Sequence, residues 1–184
     1  MIDLPLSAWF HVHSDPIVTQ FMLLVSLLHS TAGVLLMSAV LGAVLYFTGR
    51  SRWLLALLLS VPPGMLLNVA VKNLVQRARP NFDDPLLTLS TYSFPSGHTA
   101  GAALFYGFLS ALVFSLPGAR RWRAATVTVG VVMVLLVGLS RVYLGAHYFT
   151  DVVGAIILAA LWLGLCLWGV RALSRRRGAG AIHD

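Results

Sequence analysis

The sequence predicts an all-α protein: a polytopic membrane helix bundle of about five transmembrane helices with an N-terminal interfacial helix. Three observations carry that expectation. Of 184 residues, 58% are hydrophobic and 10% charged, and the mean hydropathy is +0.84; a soluble domain carries about 25% charge and needs it to cover its surface. Five apolar segments of 16 to 19 residues hold no formal charge, close to the ~20 helical residues that cross a hydrocarbon core of ~30 Å. The 13 Lys and Arg residues are sorted into particular connections, so the net charge of +7 reports membrane topology and not nucleic-acid binding.

The five spans are Thr31–Phe47, Trp53–Val71, Thr99–Leu116, Ala124–Leu139 and Val152–Val170. Before them, Pro16–His29 has 14 residues, too short to span at ~1.5 Å per residue. Asp15-Pro16 is a strong helix start, with Asp as N-cap and Pro in the first turn. Thr19, Ser26 and Ser30 fall on one face, which fits a helix lying in the interface; the alternative joins this segment to Thr31–Phe47 as one long, bent helix. No Lys or Arg precedes Arg50, so the amino terminus lacks the cationic start of a cleavable signal peptide. The length fits a single domain, residues 1–184, with its chemistry in 53–170. Residues 171–184, containing Ser174-Arg-Arg-Arg177, read as an unstructured basic tail. Cys166 lies in an apolar run and reads as an inert packed thiol.

With alternating crossings, Arg50, Arg52, Arg120, Arg121, Arg123, Arg171, Arg175, Arg176 and Arg177 fall on one side. The positive-inside rule makes that side cytoplasmic, carboxyl terminus included, and Trp53, Trp122 and Trp168 mark its boundary. The other side receives Lys72, Arg77, Arg79 and Arg141. Four cations at helix ends where orientation does not favour them point to a site for negative charge.

Three clusters occupy that outer end. Lys72 is followed after six residues by Arg79-Pro80, at the end of one span. Pro95-Ser96-Gly97-His98 opens the next. Ser140-Arg141, five residues, His147, three residues and Asp151 bridge the last two. In these residues, and in their placement at helix ends from Trp53 to Val170, the chain resembles the type 2 phosphatidic acid phosphatase superfamily, which includes the vanadium-dependent haloperoxidases. Three motifs in order, on one predicted membrane face, make the match specific.

The residues read the same way on physical grounds. Pro95 stops a loop, Ser96 is a natural N-cap, and Gly97 admits a ligand close to the backbone, so free amides and the helix dipole face an anion. Lys72, Arg79 and Arg141 add three cations, with guanidinium forks suited to phosphate oxygens. That charge matches a phosphoryl-transfer transition state. His147 and Asp151, four apart, share a face if helical; the carboxylate fixes the tautomer and leaves the other ring nitrogen to attack phosphorus. His98 then protonates the leaving oxygen and activates water. The resemblance implies the same roles: His147, His98 and Asp151 catalytic, and Lys72, Arg79, Ser96, Gly97 and Arg141 binding phosphate.

What the resemblance implies further is an integral enzyme of the bacterial inner (cytoplasmic) membrane. It would hydrolyse a lipid phosphate or diphosphate at the periplasmic face through a phosphohistidine, with the bilayer lipid as its partner. Undecaprenyl diphosphate, phosphatidylglycerophosphate, phosphatidic acid and lipid A are the candidate substrates. Gly97 stands where some dedicated undecaprenyl-diphosphate enzymes have Asp, which leans the match toward the broader lipid phosphatases. Many relatives have six spans, one more than is read here. Neither a metal nor another cofactor is expected, because side chains already neutralise the phosphate. Two other readings use the same residues: a phosphotransferase passing the group to a lipid or sugar, and a non-catalytic anionic-lipid-binding protein.

The remaining polar residues have structural readings. His11, His13, His29 and His183 read as ordinary hydrogen-bonding residues, and Asp83-Asp84 as a solvated turn in preference to a Mg²⁺ site. Arg77, outside the motif pattern, meets either a second phosphate or solvent. Pro62-Pro63-Gly64 predicts a kink in its span, and Asn68 an interhelical hydrogen bond.

Overall fold

The computed structural model describes residues 3–82, 86, 87 and 89–180, with side chains through residue 173. Asp83-Asp84 and His183 lie outside the described residues. Seven helices follow one another: α1 (Asp3–Val12), α2 (Pro16–Leu28), α3 (Thr31–Phe47), α4 (Ser51–Val75), α5 (Gly97–Ser115), α6 (Arg120–Tyr143) and α7 (Phe149–Gly180). Four are long and apolar enough to cross a membrane alone: α4, α5, α6 and Phe149–Leu173 of α7. A fifth crossing is counted if α2 and α3, which qualify together with a 51° bend between them, form one broken span. Helices α2 and α3 follow each other across a bend, as in the bent helix weighed from sequence, and α1 is an additional helix ahead of them.

The break between α2 and α3 is built by local chemistry. Ser30 caps α3 by accepting from the Gly33 amide at 3.3 Å. His29, buried at the bend, satisfies both ring nitrogens on the Val25 carbonyl (2.9 Å) and the Tyr106 hydroxyl (3.0 Å), the structural role expected of it. Asp15 caps α2 as read from sequence, accepting from the amides of Ile17 and Val18. The polar face of α2 turns inward: Thr19 meets the Tyr143 hydroxyl at 3.1 Å and Ser26 accepts from Arg141. Ile17, Phe21, Leu24 and Leu27 face outward. Apolar outside and polar inside is the pattern of a helix solvated by lipid.

Helix α5 is the centre of the bundle, packed against α3, α4, α6 and α7. Leu104, Phe105, Phe108 and Leu112 form a core with Val34, Leu45, Leu57, Val61, Ala159 and Leu163. Small residues set how closely the helices approach. A methyl group on Gly138 would stand 2.6 Å from Val152, and one on Gly64 would stand 2.7 Å from Leu104 and from Trp162. Gly64 therefore serves helix packing. The prolines beside it leave α4 continuous from Ser51 to Val75. Pro63 cannot donate to the carbonyl one turn back, and Cys166 donates to that Leu59 carbonyl at 3.4 Å. The thiol is thus a helix-to-helix donor in addition to being packed.

Two expectations are corrected here. Residues 171–180 continue α7 as helix instead of forming an unstructured tail; no Pro interrupts them, and Arg and Ala propagate a helix already nucleated in the span. Trp53 packs edge-on against Phe108, with ring centroids 5.7 Å apart, so it belongs to the core, whereas Trp122 and Trp168 are exposed. Arg50, Arg52, Arg120, Arg121 and Arg123 sit at the starts of α4 and α6. All the motif residues lie at the opposite ends: Lys72 closes α4, Gly97 opens α5, Arg141 closes α6 and Asp151 opens α7.

Candidate active site

The segment after α4 turns back because Gln76 adopts φ 51 and ψ 35 at the helix C-cap. The α6–α7 turn winds around one carbonyl. Gly145 takes φ +66, which a glycine adopts without strain, and the amides of Ala146 and His147 both donate to the Arg141 carbonyl. His147 consequently lies in the turn and not on α7, so the helical stacking with Asp151 expected from their spacing does not occur. The pair forms all the same, with His147 Nδ1 3.5 Å from Asp151 Oδ2.

Asp151 is fully buried and richly partnered. Its Oδ2 also accepts from the Ser93 hydroxyl and from the Tyr148 amide at 2.9 Å, while Oδ1 accepts from Arg77 Nη1 at 2.6 Å. On the far side of the imidazole, Nε2 lies 3.3 Å from Arg79 Nη1. A guanidinium only donates, so Nε2 is the acceptor and carries the lone pair, and Nδ1 holds the proton toward Asp151. His147 is 2% exposed. Burial, reinforced by Arg79, Arg141 and Lys72 against the opposing hydrogen bond to Asp151, lowers its pKa to about 4, so the ring is neutral at ordinary pH.

A cavity of about 620 Å³ opens beside that nitrogen. Lys72, Arg79, Gly97, His98, Arg141 and His147 line it at one end, and Leu35, Met65, Leu66 and Val69 continue it along α3 and α4. Among the described residues the three motif cations have only neutral acceptors. Lys72 Nζ donates to the Tyr92 carbonyl at 2.7 Å. Arg79 donates to Thr91 and to the Ala146 carbonyl. Arg141, 2% exposed, donates to Ser26 and leaves its Nε without an acceptor. Burial lowers the pKa of Arg79 against the pull of Asp151. The His98 ring makes no hydrogen bond among the described residues and faces the cavity.

Ser96 occupies the N-cap position of α5 without making the side-chain cap bond. Its hydroxyl accepts from Thr99 at 3.0 Å and its amide donates to the Asp151 carbonyl. It is fully buried. The amides of Gly97, His98 and Thr99 have no acceptor among the described residues, which leaves the helix start electropositive. Asn68, 2% exposed, makes no interhelical hydrogen bond among the described residues, and its Nδ2 has no partner there. Arg77, with 31% of its side chain exposed, bridges Asp151 and Asp3. Sequence reasoning missed Ser93 and Asp3, which lie outside every motif. Among the described residues no three His, Cys, Asp or Glu side chains gather; His11 stacks on Phe82 and His13 on Trp9.

Phosphatases are among the known proteins that this chain is similar to. Phosphatidylglycerophosphatase B of Bacillus subtilis is 35% identical over 148 residues, covering 80% of this chain and 72% of that protein. Decaprenylphosphoryl-5-phosphoribose phosphatase of Mycobacterium tuberculosis is 35% identical over 133 residues, 68% of this chain and 65% of its own length. The crystal structure of a transmembrane PAP2 type phosphatidylglycerolphosphate phosphatase from Bacillus subtilis superposes with a TM-score of 0.83 at 31% identity, covering 95% of this chain and 85% of that one. LpxE of Aquifex aeolicus shares the fold, with a TM-score of 0.73 at 22% identity over 91% of this chain and 95% of that one. The description "PAP2 superfamily" matches residues 53–175, the stretch that carries every motif, and the chain belongs to that superfamily.

Proposed function

We propose that this membrane phosphatase removes a phosphate from a lipid by way of His147. The observation that carries the reading is the set of three cations, Lys72 and Arg141 buried and Arg79 half-buried, that share one cavity and have no carboxylate partner among the described residues. A buried charge without a counter-ion is costly, and a phosphate supplies the missing charge. The amides opening α5 add donors to the same oxygens. The apolar wall formed by Leu35, Met65, Leu66 and Val69 suits the chain of an amphiphile whose head is held by the cations. Phosphatidylglycerophosphate, the lipid in the Bacillus relative's name, is the first substrate to test.

In this reading His147 Nε2 attacks phosphorus, a P–N bond forms and the P–O bond to the lipid alcohol breaks. His98 gives its proton to the departing oxygen. It then takes a proton from water, whose oxygen attacks phosphorus and releases His147. Asp151 stabilises the imidazolium character that develops at Nδ1. Lys72, Arg79 and Arg141 offset the charge on the three equatorial oxygens. Ser96, whose amide holds the Asp151 carbonyl, supports the site from behind.

The test is phosphate release from a panel of lipid phosphates in detergent with EDTA present. Wild type should turn over and His147→Ala should fall to background; undiminished release by the variant would sink the nucleophile assignment, and loss of wild-type turnover in EDTA would sink the metal-free one. We place the protein in the bacterial cytoplasmic membrane with this site on the periplasmic face and the carboxyl terminus in the cytoplasm, on the distribution of arginines. In a Cys166→Ser background, Asn81→Cys should react with an impermeant thiol reagent on intact cells and Ser115→Cys should not. The reverse pattern would invert the orientation.

A further inference from the structure

Arg77 belongs to none of the three motifs, yet it touches the carboxylate behind the reactive imidazole. Its Nη1 donates to Asp151 Oδ1 at 2.6 Å and to the Thr150 hydroxyl at 2.7 Å, and its Nη2 donates to Asp3 Oδ2 at 2.8 Å. The guanidinium lies 4.3 Å above the Tyr148 ring, which fixes its plane. Asp3, 7% exposed and on the first turn of α1, closes the circuit by accepting from the Thr150 amide at 3.1 Å and the Thr150 hydroxyl at 2.6 Å. One small network thus joins the first helix, the segment after α4 and the first turn of α7.

The two oxygens of Asp151 have different work. Oδ2 takes His147, Ser93 and Tyr148, while Oδ1 takes Arg77. A carboxylate held on both oxygens cannot rotate, and its rotation would withdraw Oδ2 from His147 Nδ1. We infer that Arg77 and Asp3 are positioning residues for the reaction: Arg77 fixes the carboxylate that orients His147, and Asp3 fixes Arg77 and offsets its charge. This rests on the reading of His147 as nucleophile.

The charges agree with the geometry. Burial works against the Arg77 cation, but the hydrogen bond to Asp3 and the field of Asp151 raise its pKa. Burial likewise works against the Asp3 anion, while hydrogen bonds from Thr150 and Arg77 hold its pKa below the usual carboxylate range. One guanidinium between two carboxylates leaves the group with a net negative charge behind the imidazole. Removing Arg77 makes that charge more negative, and removing the Asp3 charge makes it less so.

The experiment uses this sign difference. His147 faces Lys72 of α4, Arg79, Ser93, His98 of α5, Arg141 of α6 and Asp151 of α7, none of which is changed. The acidic limb of kcat/KM is measured on one lipid phosphate for wild type, Arg77→Gln, Asp3→Asn and the double variant. Arg77→Gln should move the limb to higher pH and Asp3→Asn to lower pH, each by about half a unit or more at the effective dielectric of a partly buried site. The double variant should lie between them. Arg77→Lys, which keeps the charge and loses the fork, should hold the limb near its wild-type position while lowering kcat about tenfold, and it serves where Arg77→Gln does not fold. Limbs that do not move, or that move the same way in both single variants, would make the network a fastening for α1 and overturn the inference. With His147→Ala inactive, that failure would leave the nucleophile reading intact; activity surviving in His147→Ala would remove both.

Discussion

Arg79 Nη1 stands 3.3 Å from His147 Nε2, so in the proposed mechanism one cation both meets the phosphoryl oxygens and keeps the attacking nitrogen unprotonated. The two effects are linked by one charge. Arg79→Gln removes a donor aimed at developing negative charge and should lower kcat/KM by about 10²–10³-fold. It also removes a repulsion that depresses the His147 pKa, so the acidic limb of the pH profile should move up. A variant that loses rate with no change in the limb would separate Arg79 from His147.

The His98 ring has no partner among the described residues and faces the same cavity as His147. A general acid matters most when the leaving oxygen is basic. His98→Gln should therefore lose far more rate on an alkyl or lipid phosphate than on p-nitrophenyl phosphate, whose leaving group departs without a proton. In the proposed mechanism His98 also activates the water of the second step, so the nitrophenyl ester should give a burst of about one nitrophenolate per enzyme, followed by slow turnover. Equal losses on both esters, with no burst, would remove His98 from proton transfer.

Burial, together with the surrounding cations, lowers the pKa of His147 from 6.5 to about 4. The unfolded chain takes up a proton on this ring below pH 6.5 that the folded chain refuses until pH 4. Stability is accordingly full above pH 6.5 and falls as pH drops through that window, by about 3 kcal/mol in all. His147→Asn should flatten that part of the curve. Thermal midpoints in detergent at intervals from pH 7 to pH 4 measure it, and parallel curves for the two proteins would refute the buried neutral imidazole.

Periodicity and charge made the bundle legible because a span must be apolar and of fixed length, and arginines sort by side. The motif residues were legible because their chemistry is specific to type and spacing. What escaped has a common physical cause. Ser93 and Asp3 reach Asp151 and Arg77 from distant loop and helix positions, and a serine or aspartate has no pattern of its own in a short polar segment. The polar face of α2 was legible, but its partners were not: Ser26 accepts from Arg141 and Thr19 meets the Tyr143 hydroxyl, both far along the chain. Ser96 was placed correctly at the helix start. Its bond from the Thr99 hydroxyl was not legible, because the one-dimensional motif does not show what the serine side chain meets.

Asn68 lies one helical turn before Lys72 on α4 and lines the same cavity, 2% exposed and without a hydrogen bond among the described residues. A methyl group placed on Gly97 would come 3.6 Å from its Oδ1, so the amide sits directly below the start of α5. An unpartnered buried amide costs about 1–3 kcal/mol. Asn68→Leu, close in size, should relieve that cost and raise the thermal midpoint by a few degrees. It should also lower kcat/KM on the lipid phosphate about tenfold, because the amide then has no group to offer the substrate. Stability is gained where a functional polar group is lost. A lower midpoint would mean that the amide holds α4 in place, and an unchanged rate would mean that the substrate never meets it.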